Sequence, residues 1–182
     1  MKPKKVKPPF YGFLAEFEKA EDLVHAARKT YAEGYRKIDA YSPFPVHGLA
    51  ESIGFHKTRL PLLVLAGGIL GAFGGYFMEY YASAVSYPLN IGGRPFHSWP
   101  SFIPVAFETT ILLAAIFTVM GMFALNGLPM PYHPVFNVPQ FELASRDRFF
   151  LCIRAVDPQF ETEKTKRFLE TFKPVGVHLV EH

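Results

Sequence analysis

Two long apolar stretches limit what this chain can fold into. Leu60 to Tyr87 reads LPLLVLAGGILGAFGGYFMEYYASAVSY, and Ile103 to Leu125 reads IPVAFETTILLAAIFTVMGMFAL. Each carries a single acidic residue and no basic one. A helix rises about 1.5 Å per residue, so roughly 20 apolar residues cross a hydrocarbon layer of about 30 Å. Both stretches are long enough. They predict two membrane-spanning helices, 60–87 and 103–125, with an external loop at 88–102. The competing reading buries both helices in a soluble core, but a chain of 182 residues has too little other material to wrap them.

The remainder is a different kind of sequence. Hydrophobic residues make up 49% of the chain and charged residues 19%, and the charge sits almost wholly in the two ends. Residues 1–9, MKPKKVKPP, form a basic tail suited to anionic lipid, to an acidic partner surface, or simply to water. No apolar run follows it at signal-peptide distance, so no cleavage is expected. Nothing in the pattern points to nucleic acid.

Residues 10–56 and 147–182 spell the same order twice. Tyr11–Phe17 reads as a strand, followed by a helix with Ala20, Leu23, Val24, Ala27 and Tyr31 on one face and Gly34 at its end. Lys37–Tyr41 is a second strand, and Val46–Phe55 a short helix leading to the membrane. Phe149–Val156 is a third strand. Glu161–Phe172 is a helix presenting Thr165, Phe168, Leu169 and Phe172, and Val175–Val180 is a fourth strand.

Neither half buries its apolar face alone, so together they predict one four-stranded sheet with two helices on one side. The expected class is an α+β membrane protein: a ferredoxin-like split βαβ cytoplasmic domain with a two-helix transmembrane hairpin inserted between its second and third strands. Residues 126–146 form a Pro-rich, aromatic and nearly uncharged linker, which is expected to pack on something rather than lie in water. Arg36, Lys37, Lys57 and Arg59 precede the first span, and Arg146 and Arg148 follow the second, whereas the loop has only Arg94. Both termini are therefore expected in the cytoplasm.

Few residues here suit chemistry. Cys152 is the sole cysteine, and CxxCH and HExxH are absent, so cluster, haem and zinc ligation find no recognised motif. His47, His56, His97, His133 and His178 form no ligand cluster by spacing. Trp99, Tyr80, Tyr81 and Tyr87 fit an interfacial aromatic belt.

Gly67, Gly71 and Gly75 recur every four residues and make a smooth strip for close packing against other protein. The flanks are membrane helix and the spacing is not GxGxxG, which excludes a nucleotide loop. Glu79 continues the strip by one more step. Glu108 lies about a turn past Pro104, which places it near the outer headgroups. Both acids are candidates for a proton path, because ionisable groups in membrane helices are costly and often functional. The bland reading pairs each with a neighbour, with Arg94 or with interfacial water.

The segment YPLNIGGRPFHSWPSFIPVAFETTIL, Tyr87–Leu112, resembles the signature of the D subunit of alternative complex III, a bacterial quinol:electron-acceptor oxidoreductase. YGFLAEFE, AYSPFPVHGL, NGLPMPYHPVF and DRFFLCIRAVDPQF are similar to the same family. The resemblance implies a multi-pass subunit of the inner (plasma) membrane within a respiratory or photosynthetic electron-transport complex. It implies that haem c and iron-sulfur clusters belong to partner subunits, with no cofactor in this chain and no catalytic residue to carry over. Glu108 lies inside the most recognisable string. The expected role is a non-catalytic subunit that braces the complex. Two alternatives are a proton path through Glu79 or Glu108 and a membrane-anchored ligand sensor.

Overall fold

The computed structural model describes residues 9–182, so the basic tail lies outside the described residues except for Pro9. The chain divides into two compact units. One runs to His56 and resumes over Pro131–His182; the other is Lys57–Met130.

The first unit is a four-stranded antiparallel sheet of order β2-β3-β1-β4. Its strands are β1 (Gly12–Phe17), β2 (Ile38–Tyr41), β3 (Phe149–Arg154) and β4 (Gly176–Val180). β1 pairs with β3 through Leu14 opposite Cys152, and with β4 through Leu14 opposite His178. β3 also pairs with β2, Ala40 facing Leu151. The central strand of the first half is thus flanked by both strands of the second, and each half supplies what the other lacks.

Alternation along β1 sends Phe13, Ala15 and Phe17 to one face and Leu14 and Glu16 to the other. On the first face lie α1 (Ala20–Glu33) and α5 (Thr162–Glu170). Their Leu23, Ala26, Ala27 and Leu169 are buried against Phe149, Leu151 and Ile153. Glu21 and Asp22 sit in the first turn of α1, where the helix dipole favours anions, and Gly34 ends it at φ 109°, a backbone that glycine adopts without strain. A single turn, α2 (Leu49–Ser52), contributes Leu49 to the same core. It is shorter than the helix expected over 46–55.

The second face is covered by the Pro-rich linker. Pro134–Asn137 and Pro139–Ser145 are 3₁₀ turns, each opened by the proline, whose missing N–H is unpaired at that position anyway. They press Val135, Val138 and Phe141 onto Leu14, Phe150, Cys152 and Val180. That second layer explains why β1 is buried along its whole length.

In the second unit, α3 (Leu60–Tyr80) continues as a π-helical segment, Tyr81–Ser86, and α4 spans Trp99–Asn126. Over Leu60–Ser86 and Trp99–Asn126 the chain is long and apolar enough to cross a membrane. The sequence reading starts the second helix at Ile103; the structure starts it four residues earlier. Pro100 sits in the first turn, where its fixed φ favours a helix, so the boundary is set by backbone preference rather than by hydropathy.

Candidate functional site

The strip of glycines meets α4 of the same chain. Gly67, Gly71 and Gly75 are the buried residues of α3. A Cβ on Gly71 would overlap the Thr109 carbonyl oxygen and lie 2.6 Å from Thr110 Cα. On Gly67 it would lie 2.9 Å from the Leu113 oxygen, and on Gly75 3.2 Å from Ala106 Cα. Such distances are backbone against backbone, attainable only where side chains are missing on one side. Thr109 Oγ1 lies 3.0 Å from the Gly71 carbonyl and can donate to it across the seam, alongside helical acceptors at Val105 and Ala106. Toward the helix ends, Gly121 lets Leu60 and Leu63 approach α4. The strip is therefore consumed by the hairpin itself and is not offered to other protein.

α4 contributes its own row to the seam, which sequence reasoning passed over. Ala106, Thr110, Ala114 and Thr118 recur every four residues and are all half-buried. Small side chains at that spacing were the legible signal.

The two acids have separate surroundings. Glu79 is half-buried on the seam side of α3, and its Oε2 is enclosed with no hydrogen-bond partner. Glu108 is exposed, among Phe107, Ile111 and Leu112, which are exposed too. Arg94, the neighbour expected for either acid, donates instead to Ser101 Oγ. Glu108 is nine residues into α4, about 13 Å from Trp99 at 1.5 Å per residue, which is farther along the helix than a start at Ile103 implies.

Beside the connecting loop, His97 Nε2 lies 2.6 Å from the Tyr76 hydroxyl. Its ring meets Tyr80 edge-on at 5.1 Å, and Tyr76 meets the buried Phe102 at 5.7 Å. Twenty-one residues and a loop separate Tyr76 from His97, so no spacing in the sequence announces this pair.

The sheet unit holds polar groups fixed in structural duties. Asp157 is buried and accepts from the backbone N–H groups of Arg36, Lys37 and Gln159 at 2.6, 2.7 and 2.9 Å. Burial opposes its charge, but the three donors outweigh burial and hold the carboxyl below its ordinary value. Glu16, also buried, lies 3.5 Å from both Arg148 Nε and His178 Nε2. Burial lowers His133, which favours its neutral ring. Its Nδ1 accepts from Val135 N–H, so Nε2 carries the hydrogen and donates to the Tyr11 hydroxyl at 3.2 Å.

Burial also pushes Tyr11 up to about 12, and raises Tyr41 and the Cys152 thiol. A thiol raised in this way is a poor nucleophile at neutral pH. Among the described residues, no three His, Cys, Asp or Glu side chains are placed to hold a metal ion.

The geometry is that of a packed helix pair with apolar outer faces: Phe73, Phe77 and Met120 are 75%, 64% and 63% exposed. Comparison with curated proteins gave no match. The family model described as "Alternative complex III, ActD subunit" matches residues 11–179.

Proposed function

The chain belongs to the ActD subunit family of alternative complex III, and on that premise we propose that it is an integral membrane subunit with no chemistry of its own, bracing a quinol:electron-acceptor oxidoreductase. In this reading α3 and α4 cross the bacterial inner membrane as a hairpin. The sheet unit is a ferredoxin-like domain in the cytoplasm with both termini. Haem c and iron-sulfur clusters reside in other subunits.

The observation that carries the reading is the hairpin's division of labour. Its inner faces are zipped by Gly67, Gly71 and Gly75, while its outer faces leave large apolar side chains uncovered. Lipid and the helices of larger subunits are the surroundings in which such faces are stable. The test is affinity purification of the tagged full-length chain from mild detergent. Absorption bands of multihaem cytochrome c in the eluate are expected. An eluate of this chain alone refutes the proposal.

A second reading adds a proton-path role for Glu79, favoured by its enclosed, unpartnered Oε2. Ionisable side chains within membrane helices are costly and often belong to proton relays. Glu79→Gln then slows quinol oxidation severalfold while the complex still assembles. Unchanged turnover ends this reading.

A further inference from the structure

We infer that Glu108 is the acceptor for a cationic side chain on a membrane helix of another subunit, and that this pair seats α4 in the assembly. The inference rests on the two-span subunit reading proposed above. α4 has 28 residues, a length of about 42 Å. A hydrocarbon layer of about 30 Å centred on it begins roughly 6 Å from each end. Glu108, about 13 Å from the Trp99 end, then lies about 7 Å below the headgroups. Its side chain leans toward the helix N-terminus, which shortens that gap without closing it.

The carboxylate is on the uncovered side of the hairpin. Phe107, Ile111 and Leu112 surround it, 63%, 52% and 58% exposed. Among the described residues no cation pairs with it, and Arg94 is held by Ser101. Acyl chains supply neither a donor nor a countercharge at that depth, whereas a neighbouring helix bearing Arg or Lys supplies both. Ala115 lies two helical turns beyond Glu108 and is small, which lets such a helix come close below the charge. Glu79 offers the contrast: the chain turns that acid inward and this one outward.

The test uses the tagged full-length chain in its native host, purified in mild detergent as wild type, Glu108→Gln, Glu108→Leu and Leu112→Ala. Both Glu108 variants are expected to lower the co-purifying subunits at least tenfold, with the chain still in the membrane and Leu112→Ala near wild type. Full retention of Glu108→Leu overturns the inference, since the acid then faces lipid. Retention of Glu108→Gln alongside loss of Glu108→Leu also overturns it, since the partner group is then neutral.

A photoreactive residue at position 112 of the otherwise wild-type chain provides a readout that does not depend on those variants folding. It should cross-link to a membrane segment containing Lys or Arg, and a segment with neither overturns the inference. If the wild type brings down no other subunit, the complex reading itself has failed, an outcome distinct from a failure confined to position 108.

Discussion

Adding one methyl group to Gly71 should open the hairpin. The Cβ of Gly71→Ala lands 2.6 Å from Thr110 Cα and against the Thr109 carbonyl, both backbone atoms that cannot rotate aside. Carbon atoms rest at about 3.5–4.0 Å, so α3 must retreat by roughly 1 Å. A gap of that size forfeits about a quarter to a half of the dispersion attraction across the seam. It also stretches the 3.0 Å contact from Thr109 Oγ1 to the Gly71 carbonyl beyond useful range.

Overpacking of this kind costs about 1–3 kcal/mol, and an interhelical hydrogen bond in a membrane is worth about 0.6 kcal/mol. Alanine returns up to about 1 kcal/mol of helix propensity. The net is about 2 kcal/mol, or roughly 30-fold in the equilibrium between packed and separated helices. Gly74 is the control, because a Cβ there meets nothing within 4 Å and Gly74→Ala should be neutral or stabilising. The assay is titration with SDS in mixed micelles, followed by energy transfer between labels at positions 57 and 128 of the full chain. Equal stability of the Gly71 and Gly74 variants refutes the reasoning.

Two further outcomes concern the sheet unit. Asp157→Ala strands three backbone N–H groups and should cost about 3 kcal/mol, measured by urea unfolding at neutral pH. Because the folded carboxyl lies below its ordinary value of 3.8, its contribution is complete above that pH and is lost as pH falls through the lower folded value. The gap between wild type and Asp157→Ala should therefore narrow only in acid below about pH 4, and a gap that narrows between about pH 5 and 7 contradicts the assignment. Cys152 is buried under Phe141 and Val138, with its thiol raised by that burial, so iodoacetamide should label it only after unfolding. Rapid labelling of the native chain means the linker does not cover the sheet.

How much of this was legible depends on which physical signal each element leaves in the chain. The glycine spacing of α3 marked a packing face, because period-four small residues have few other uses in an apolar helix. What packs there was not legible, since Thr109 and Ala106 only become its partners once the loop folds back. Strand and helix order followed from alternation and period, as at Phe13, Ala15 and Phe17, while the cover supplied by Val135 and Phe141 lies in proline-broken sequence with no period to read. The early start of α4 was announced by Pro100 but masked by hydropathy, so Glu108 lies farther from the start of its helix than the sequence reading has it. The π-helical segment at Tyr81–Ser86 leaves no mark in composition.

The interleaved strand order also has a meaning in time. A ribosome releases β1 and β2 before the hairpin, yet the strand that joins them is β3, made only after both long apolar helices. Until then the nascent sheet carries an empty slot with unpaired amides on either side and Leu14 uncovered. Both helices are therefore made before the domain can close, so a completed sheet reports that the whole hairpin has been synthesised.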